Sequence, residues 1–163
     1  MPSTKQFDEI YKNNYPKVIR LCLGYFEGNE SLAKDTTQDV FVKVWENLKH
    51  FRHESSVSTW IYRITVNTCL SNIKKQKKHP VSLDKNHFHL KSEALEKDID
   101  KESQLNALYR CINTLNNDNK SLILLELEDL AQKEIAAITG LSHSAVRTRI
   151  HRIKDKLTKC VSS

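Results

Sequence analysis

Four cysteines stand at 22, 69, 111 and 160, and no two are closer than 42 residues. Cysteine metal sites need at least one pair a few residues apart, so this spacing speaks against zinc. In a chain kept in a reducing compartment, scattered cysteines of this kind read as buried or inert thiols. His87 and His89 lie in a polar stretch without further ligands beside them and read as a solvated loop. There is no nucleophile elbow, no glycine-rich phosphate loop and no His-Glu pair at ligand spacing. What remains is the chemistry of charge.

The net charge is +6, and it is unevenly placed. Residues 1–59 balance eight positive against eight negative side chains. Residues 60–80 hold Arg63, Lys74, Lys75, Lys77 and Lys78 and no acid, a net of +5. Residues 81–140 carry a net of −4, and residues 141–163 return to +5. A single basic run can be no more than a solvated helix face. Two islands, each following an apolar scaffold, suit two contacts with a polyanion.

The elements that must carry these islands are helices. Three glycines and three prolines, with 39% hydrophobic and 28% charged residues, give too few turns for an all-β chain. Apolar runs reach only about four residues, as in Leu122–Leu125, too short for a membrane span. The first residues lack the apolar stretch of a signal peptide, so the chain is expected to stay in the cytoplasm. Apolar residues from Phe7 to Phe26 recur at helical steps and predict one amphipathic helix, bent or restarted near Pro16. A second helix is predicted over about 31–50, burying Leu32, Ala33, Thr36, Val40, Phe41, Val44 and Leu48. Its other face shows Asp35, Gln38, Asp39, Lys43 and Glu46, with Trp45 at the edge. After a polar loop at 51–58, Ser58 is the expected cap of a third helix, over about 59–78, that Pro80 ends.

Residues 80–101 lack strong periodicity and read as a linker, partly helical toward its end. Leu105, Leu108, Ile112 and Leu115 then share one helical face. Leu122, Ile123, Leu125 and Leu127 form another helix, broken near Asp129. From Gln132 to Arg152 the chain reads QKEIAAITGLSHSAVRTRIHR. Ile135, Ala136 and Ile138 face inward, Gly140 permits a positive φ at the turn, and Ser142 caps a helix pinned by Val146, Ile150 and Ile153. That is a helix-turn-helix, whose second helix enters the major groove near its N-terminal end. Ser144, Arg147, Thr148, His151 and Arg152 are left outward. An antiparallel helix pair with a basic exterior would show the same pattern without reading DNA.

Three segments in order carry a family resemblance. They are Gln38–Trp45 (QDVFVKVW), Phe51–Lys75 (FRHESSVSTWIYRITVNTCLSNIKK), and Glu134–Ser142 followed by Val146–Arg152. The whole chain resembles the bacterial extracytoplasmic-function sigma factors, the short two-domain class, and these segments look like its regions 2.2, 2.3–2.4 and 4.2. The resemblance implies an all-α fold of two small helical domains joined by a flexible linker. Residues 1–79 would be region 2, 80–101 the linker and 102–163 region 4. It departs at His53, where the family usually has glycine. It departs also at Lys34 and Thr37, commonly acidic and apolar, and at Glu126 and Ala131, commonly aromatic and Ser/Thr.

The resemblance further implies a sigma factor that binds core RNA polymerase, at its β′ clamp and β flap, and directs promoter recognition and melting. Asp35, Gln38, Asp39 and Trp45 would face the β′ clamp. An acidic face beside an exposed tryptophan suits a basic partner helix, whereas plain solvation accounts for the acids better than for Trp45. His53, Glu54, Ser55, Trp60, Arg63 and Asn67 would open the minus-ten element, with Lys74 and Lys75 on phosphates. Core packing is the competing role for Trp60. Ser144, Arg147, Thr148, His151 and Arg152 would read the minus-thirty-five element. No cofactor, metal or catalytic residue is implied, and an anti-sigma factor is a further candidate partner. Two rival classes remain. A helix-turn-helix repressor or activator leaves residues 35–75 without a role, and a protein-binding helical module leaves the two basic helices without one. Limited proteolysis of the free protein should cut first within residues 80–101; early cuts inside 1–79 with a resistant linker would contradict this division.

Overall fold

A computed structural model describes residues 3–78 and 99–163. All its regular structure among the described residues is helical: α1 Thr4–Tyr25, α2 Glu30–Asn47, a 3₁₀ turn Leu48–His50, α3 Val57–Lys78, α4 Ile99–Ile112, α5 Asn117–Leu127, α6 Gln132–Thr139 and α7 His143–Ser162. Most of the expected linker, and His87 and His89 with it, lie outside the described residues; its last residues, 99–101, open α4.

Helix α1 is continuous, without the expected restart. The Ser3 hydroxyl caps it by accepting from the Gln6 amide at 3.1 Å. Pro16 lies on the exposed side, so the one bond it removes, to the Lys12 carbonyl, is lost away from the core. Helix α2 starts at Glu30 because the Asn29 side chain accepts from the Leu32 amide, and its final turn tightens into the 3₁₀ segment. The cap of α3 is Ser56, whose Oγ accepts from the Thr59 amide at 3.1 Å, and not Ser58. Ser58 instead donates to Asn14 Oδ1 at 2.9 Å and so ties α3 to α1. Helices α1, α2 and α3 pack on one another around Val18, Leu21, Val40, Val44, Ile61 and Val66.

The second half closes around α5. Lys120 through Leu125 are all buried, which a helix achieves only when it is covered on several sides. Helices α6 and α7 cover part of it, and α1 of the first half covers another part. The expected stripes therefore shift: Leu124 is buried, while Leu105 and Leu127 are exposed. Desolvation pushes the Lys120 ammonium below its ordinary value, against the pull of the Glu27 carboxylate.

The two halves do not keep separate cores. One continuous apolar cluster runs from Val18 to Leu157 through both, because each half alone is marginal in size for a core of its own. At the junction Gly24 of α1 meets Leu124 of α5, where a Cβ would stand 2.6 Å from Leu124 Cδ2. Beside it the Ser121 hydroxyl donates to the Asn117 carbonyl and pairs with the Tyr25 hydroxyl. Arg20 clasps Glu128 with two bonds of 2.9 and 2.8 Å, and the Tyr62 hydroxyl donates to the same carboxylate at 3.3 Å. The Glu128 carboxylate holds the Arg20 guanidinium above its ordinary pKa.

The cysteines also differ from expectation. Cys22 and Cys69 are buried thiols with Sγ atoms 3.6 Å apart, but Cys111 and Cys160 are joined in a disulfide. Their Cα atoms lie 6.0 Å apart because α4 and α7 run side by side. Sequence separation hid that proximity.

Arg20 is 57% exposed and Glu128 9%, so solvent screens part of the pair. A double-mutant cycle of Arg20→Ala and Glu128→Ala in urea denaturation should return a coupling of about 0.5–1 kcal/mol, shrinking as salt is raised. A coupling indistinguishable from zero at low salt would show that the clasp adds nothing to docking.

Candidate protein and nucleic-acid interfaces

Three surfaces gather the residues singled out in the sequence. The first is the outer face of α2. Asp35, Gln38, Asp39 and Trp45 are all exposed there. Asp39 Oδ2 accepts from Asn72 Nδ2 at 3.2 Å, and the same amide reaches Thr36 Oγ1, so α3 orients the carboxylate. Trp45 is 37% exposed and meets the Phe7 ring edge-on at 5.1 Å. Tyr11 packs on Phe41 at 4.7 Å and on Tyr15 at 5.3 Å. Together these rings line an open apolar groove of about 540 Å³ with Gln38 and Lys34 on its rim. Phe41 is buried as expected, whereas Phe7 and Tyr11, expected on an inward stripe, are half-buried and exposed. The signal that marks the groove is the four-residue step Phe7, Tyr11, Tyr15, which puts three rings on one line of α1.

The second surface joins the loop after α2 to α3. The His53 ring lies 4.5 Å from Phe51, and Phe51 lies 4.9 Å from Trp60. His53 has φ 58°, in the left-handed region that favours glycine, so this histidine holds a turn for which glycine is the easier residue. Glu54 and Ser55 are exposed beside it, and Trp60 is half-buried. Trp60 and Asn67 line a shallow groove of about 320 Å³ with Lys43, His50 and Ile64, so the indole is a groove wall as well as a packing group. Arg63 is exposed but already engaged: its Nη2 donates to the Ala137 carbonyl at 2.7 Å. That carbonyl is among the last four of α6, which have no partner inside the helix, so a cation is favoured there. Asn67 also borders a cleft shared with Ile138, Thr139 and Leu141. Lys74 and Lys75 are exposed at the trailing end of α3.

The third surface is α7. Gly140 ends α6 at φ 80°, and the Ser142 hydroxyl accepts from the Ala145 amide at 3.1 Å. Val146, Ile150, Ile153 and Leu157 are buried, which turns Ser144, Arg147, Thr148, His151 and Arg152 outward, all exposed. His151 stands 3.7 Å from Asp155 one turn on. Arg149, by contrast, points inward and donates to Asn119 Oδ1 at 2.9 Å. The outward face is thus exposed to solvent, with a neighbouring cleft lined by Asn119, Arg149, Arg152 and Lys156.

Comparison with known proteins agrees with this architecture. Residues 10–79 match the model of Sigma-70 region 2, and residues 105–157 that of Sigma-70 region 4. The chain is 30% identical to the ECF RNA polymerase sigma-E factor of Escherichia coli K12, over 94% of this chain and 85% of that one. It is 28% identical to the RNA polymerase sigma factor YlaC of Bacillus subtilis, over 98% and 94%. In fold it resembles the sigma factor RpoE of Bartonella quintana, solved with the anti-sigma factor NepR, at a TM-score of 0.77 and 20% identity over 98% of both chains. It likewise resembles CnrH, solved with the cytosolic domain of CnrY, at a TM-score of 0.71 and 20% identity over 98% of this chain and 90% of that one. The chain belongs to the extracytoplasmic-function sigma factor family. It is a transcription initiation factor that binds core RNA polymerase and directs promoter-specific initiation. Among the described residues no helix is long and apolar enough to cross a membrane.

Asp39→Arg reverses the charge of an exposed carboxylate on the outer face of α2 and should weaken binding to core polymerase by about 1–3 kcal/mol. Because Asp39 is exposed, folding stability should stay within about 0.5 kcal/mol of the parent. Unchanged co-purification of the variant with core enzyme would sink this assignment.

Proposed function

We propose that the three surfaces divide the work of initiation among themselves. The groove of Phe7, Tyr11 and Trp45, with Asp35, Gln38 and Asp39 on the neighbouring face of α2, takes the β′ clamp. The loop around His53, Glu54 and Ser55, with Trp60, Arg63 and Asn67 of α3, holds bases of the minus-ten element once they leave the stack. Stacking of an unpaired base on an aromatic ring is worth about 1–3 kcal/mol, so capture of a few bases can drive local melting without hydrolysis by this chain. Lys74 and Lys75 hold the phosphates beside it. Ser144, Arg147, Thr148, His151 and Arg152 read the minus-thirty-five element. Residues 1–79 and 102–163 act as the two domains, and the segment between them spans the polymerase interior toward the β flap. The protein works in the cytoplasm and carries no catalytic activity of its own.

One observation supports this division above the others: the outward face of α7 is exposed and follows a capped turn, as a major-groove helix requires. One solved neighbour was captured with an anti-sigma factor and the other with the cytosolic domain of a second protein, and an anti-sigma factor is the further partner proposed for this chain. In the compact form Arg63 is spent on α6 and Asn67 borders the same cleft. Promoter melting therefore requires the second half to move off α3, and an anti-sigma factor that favours the compact form would oppose it.

The proposal separates two kinds of contact. Losing a two-point arginine contact to a base costs about 1–3 kcal/mol and relaxes preference at that base pair, whereas losing a phosphate contact weakens all sequences alike. Arg147→Ala should therefore broaden selectivity at the minus-thirty-five element. Lys75→Ala should lower activity evenly and reduce the salt dependence by about one unit of slope. Transcription by reconstituted holoenzyme from a promoter library at two salt concentrations reads both. An even loss for Arg147→Ala would make that arginine a backbone clamp.

A further inference from the structure

The disulfide Cys111–Cys160 has no part in the three surfaces, yet it sits at the foot of one of them. Cys111 is buried in α4, and Cys160 is half-buried in the last turn of α7. Cys160 continues the inward stripe Val146, Ile150, Ile153, Leu157 by one further three-residue step, so it is the final anchor of that helix. The bond joins positions 49 apart in sequence and encloses α5, α6, the turn and α7 as far as Cys160.

A partner of RNA polymerase works where low-molecular-weight thiols keep most cysteines reduced, and a disulfide there is as a rule one that exchanges. We propose that Cys111 and Cys160 form a reversible dithiol–disulfide couple that sets the firmness of the promoter-reading half. This rests on the assignment of α7 as the reading helix. The co-reactant is a small disulfide of the glutathione class, RSSR. The Cys160 thiol, the more exposed of the two, loses its proton, and its thiolate attacks RSSR, forming one S–S bond and releasing one RS⁻. The Cys111 thiolate then displaces the second RS⁻ from that mixed disulfide. Two protein thiols lose two electrons and two protons, and RSSR leaves as two RSH. Excess RSH runs the same steps backwards.

The contrast with the other pair is built into the fold. Cys22 and Cys69 lie 3.6 Å apart but wholly inside the first half. Both thiols are fully buried, so a reagent in solution reaches neither of them. That pair is the internal control.

The test equilibrates the full chain, free of oxygen, over a series of reduced to oxidised glutathione ratios, then quenches with acid, alkylates and measures intact and peptide masses. Cys111 and Cys160 should lose their label together in one two-electron transition, while Cys22 and Cys69 take label only after denaturation. The oxidised chain should melt roughly 5–15 °C above the reduced one. Cys160→Ser, and separately Cys111→Ser, should remove both the transition and the shift. Holoenzyme carrying the reduced chain should lose promoter transcription at a correspondingly lower temperature. A pair labelled at every ratio, a bond that survives excess reduced glutathione, or oxidation without a melting shift would each overturn the couple. Labelling and melting involve no DNA and need no variant. They therefore stand or fall apart from the reading-helix assignment, which the Arg147→Ala promoter library judges on its own.

Discussion

The meeting of Gly24 with Leu124 is the constraint on which the rest of the arrangement depends. Any side chain at position 24 would place a carbon within 2.6 Å of the leucine, so only glycine lets α5 lie this close to α1 without a shift. That approach lets the apolar run Leu122–Leu125 be covered on several sides, and it brings Ser121 to Tyr25 and Glu128 to Arg20. Two helical halves too small to be comfortable alone thereby share one core. The polar clasp around Glu128 adds direction to the docking more than strength, because most of the Arg20 side chain remains in water.

Docking treats the three functional surfaces unequally. The aromatic groove on α1 and α2 and the outward face of α7 both remain open to solvent. The α3 face does not, since Arg63 caps the end of α6 and Asn67 borders the same cleft. On the proposed division of roles, a chain in this arrangement leaves its polymerase and helix-turn-helix surfaces open and its minus-ten surface partly engaged. The proposed order is therefore partner first, separation of the halves next, and capture of bases last. The Arg63–Ala137 bond at the α3–α6 junction is exposed to solvent, which suits a contact that is to be given up in the proposed order.

Much of the site was legible from side-chain type and period. The outward set on α7 follows from Val146, Ile150 and Ile153, because a helix that buries these must turn Arg147, His151 and Arg152 to solvent. Gly140 and Ser142 announce the turn by local chemistry alone, a positive φ and a hydroxyl cap. The exposed acids of α2 follow in the same way from Val40, Phe41 and Val44. The groove beside them was not legible as a groove. Phe7 and Tyr11 have the composition of a core, and only the absence of a covering element leaves them as a surface beside the buried Phe41.

By itself the sequence determined the helices, the faces they bury and the two basic islands, because helix period, capping and charge are local properties that need no knowledge of neighbours. Tertiary structure decided what those helices meet. Ser56 rather than Ser58 caps α3 because Ser58 is drawn to Asn14, 44 residues away in the chain. Cys111 finds Cys160 because α4 and α7 lie side by side, and no short-range spacing encodes that. Arg63 reaches Ala137 across 74 residues, which converts a residue marked for DNA into a contact between the halves. Such pairings depend on packing over long separations, where the free energy is shared among many contacts and no single residue type announces it.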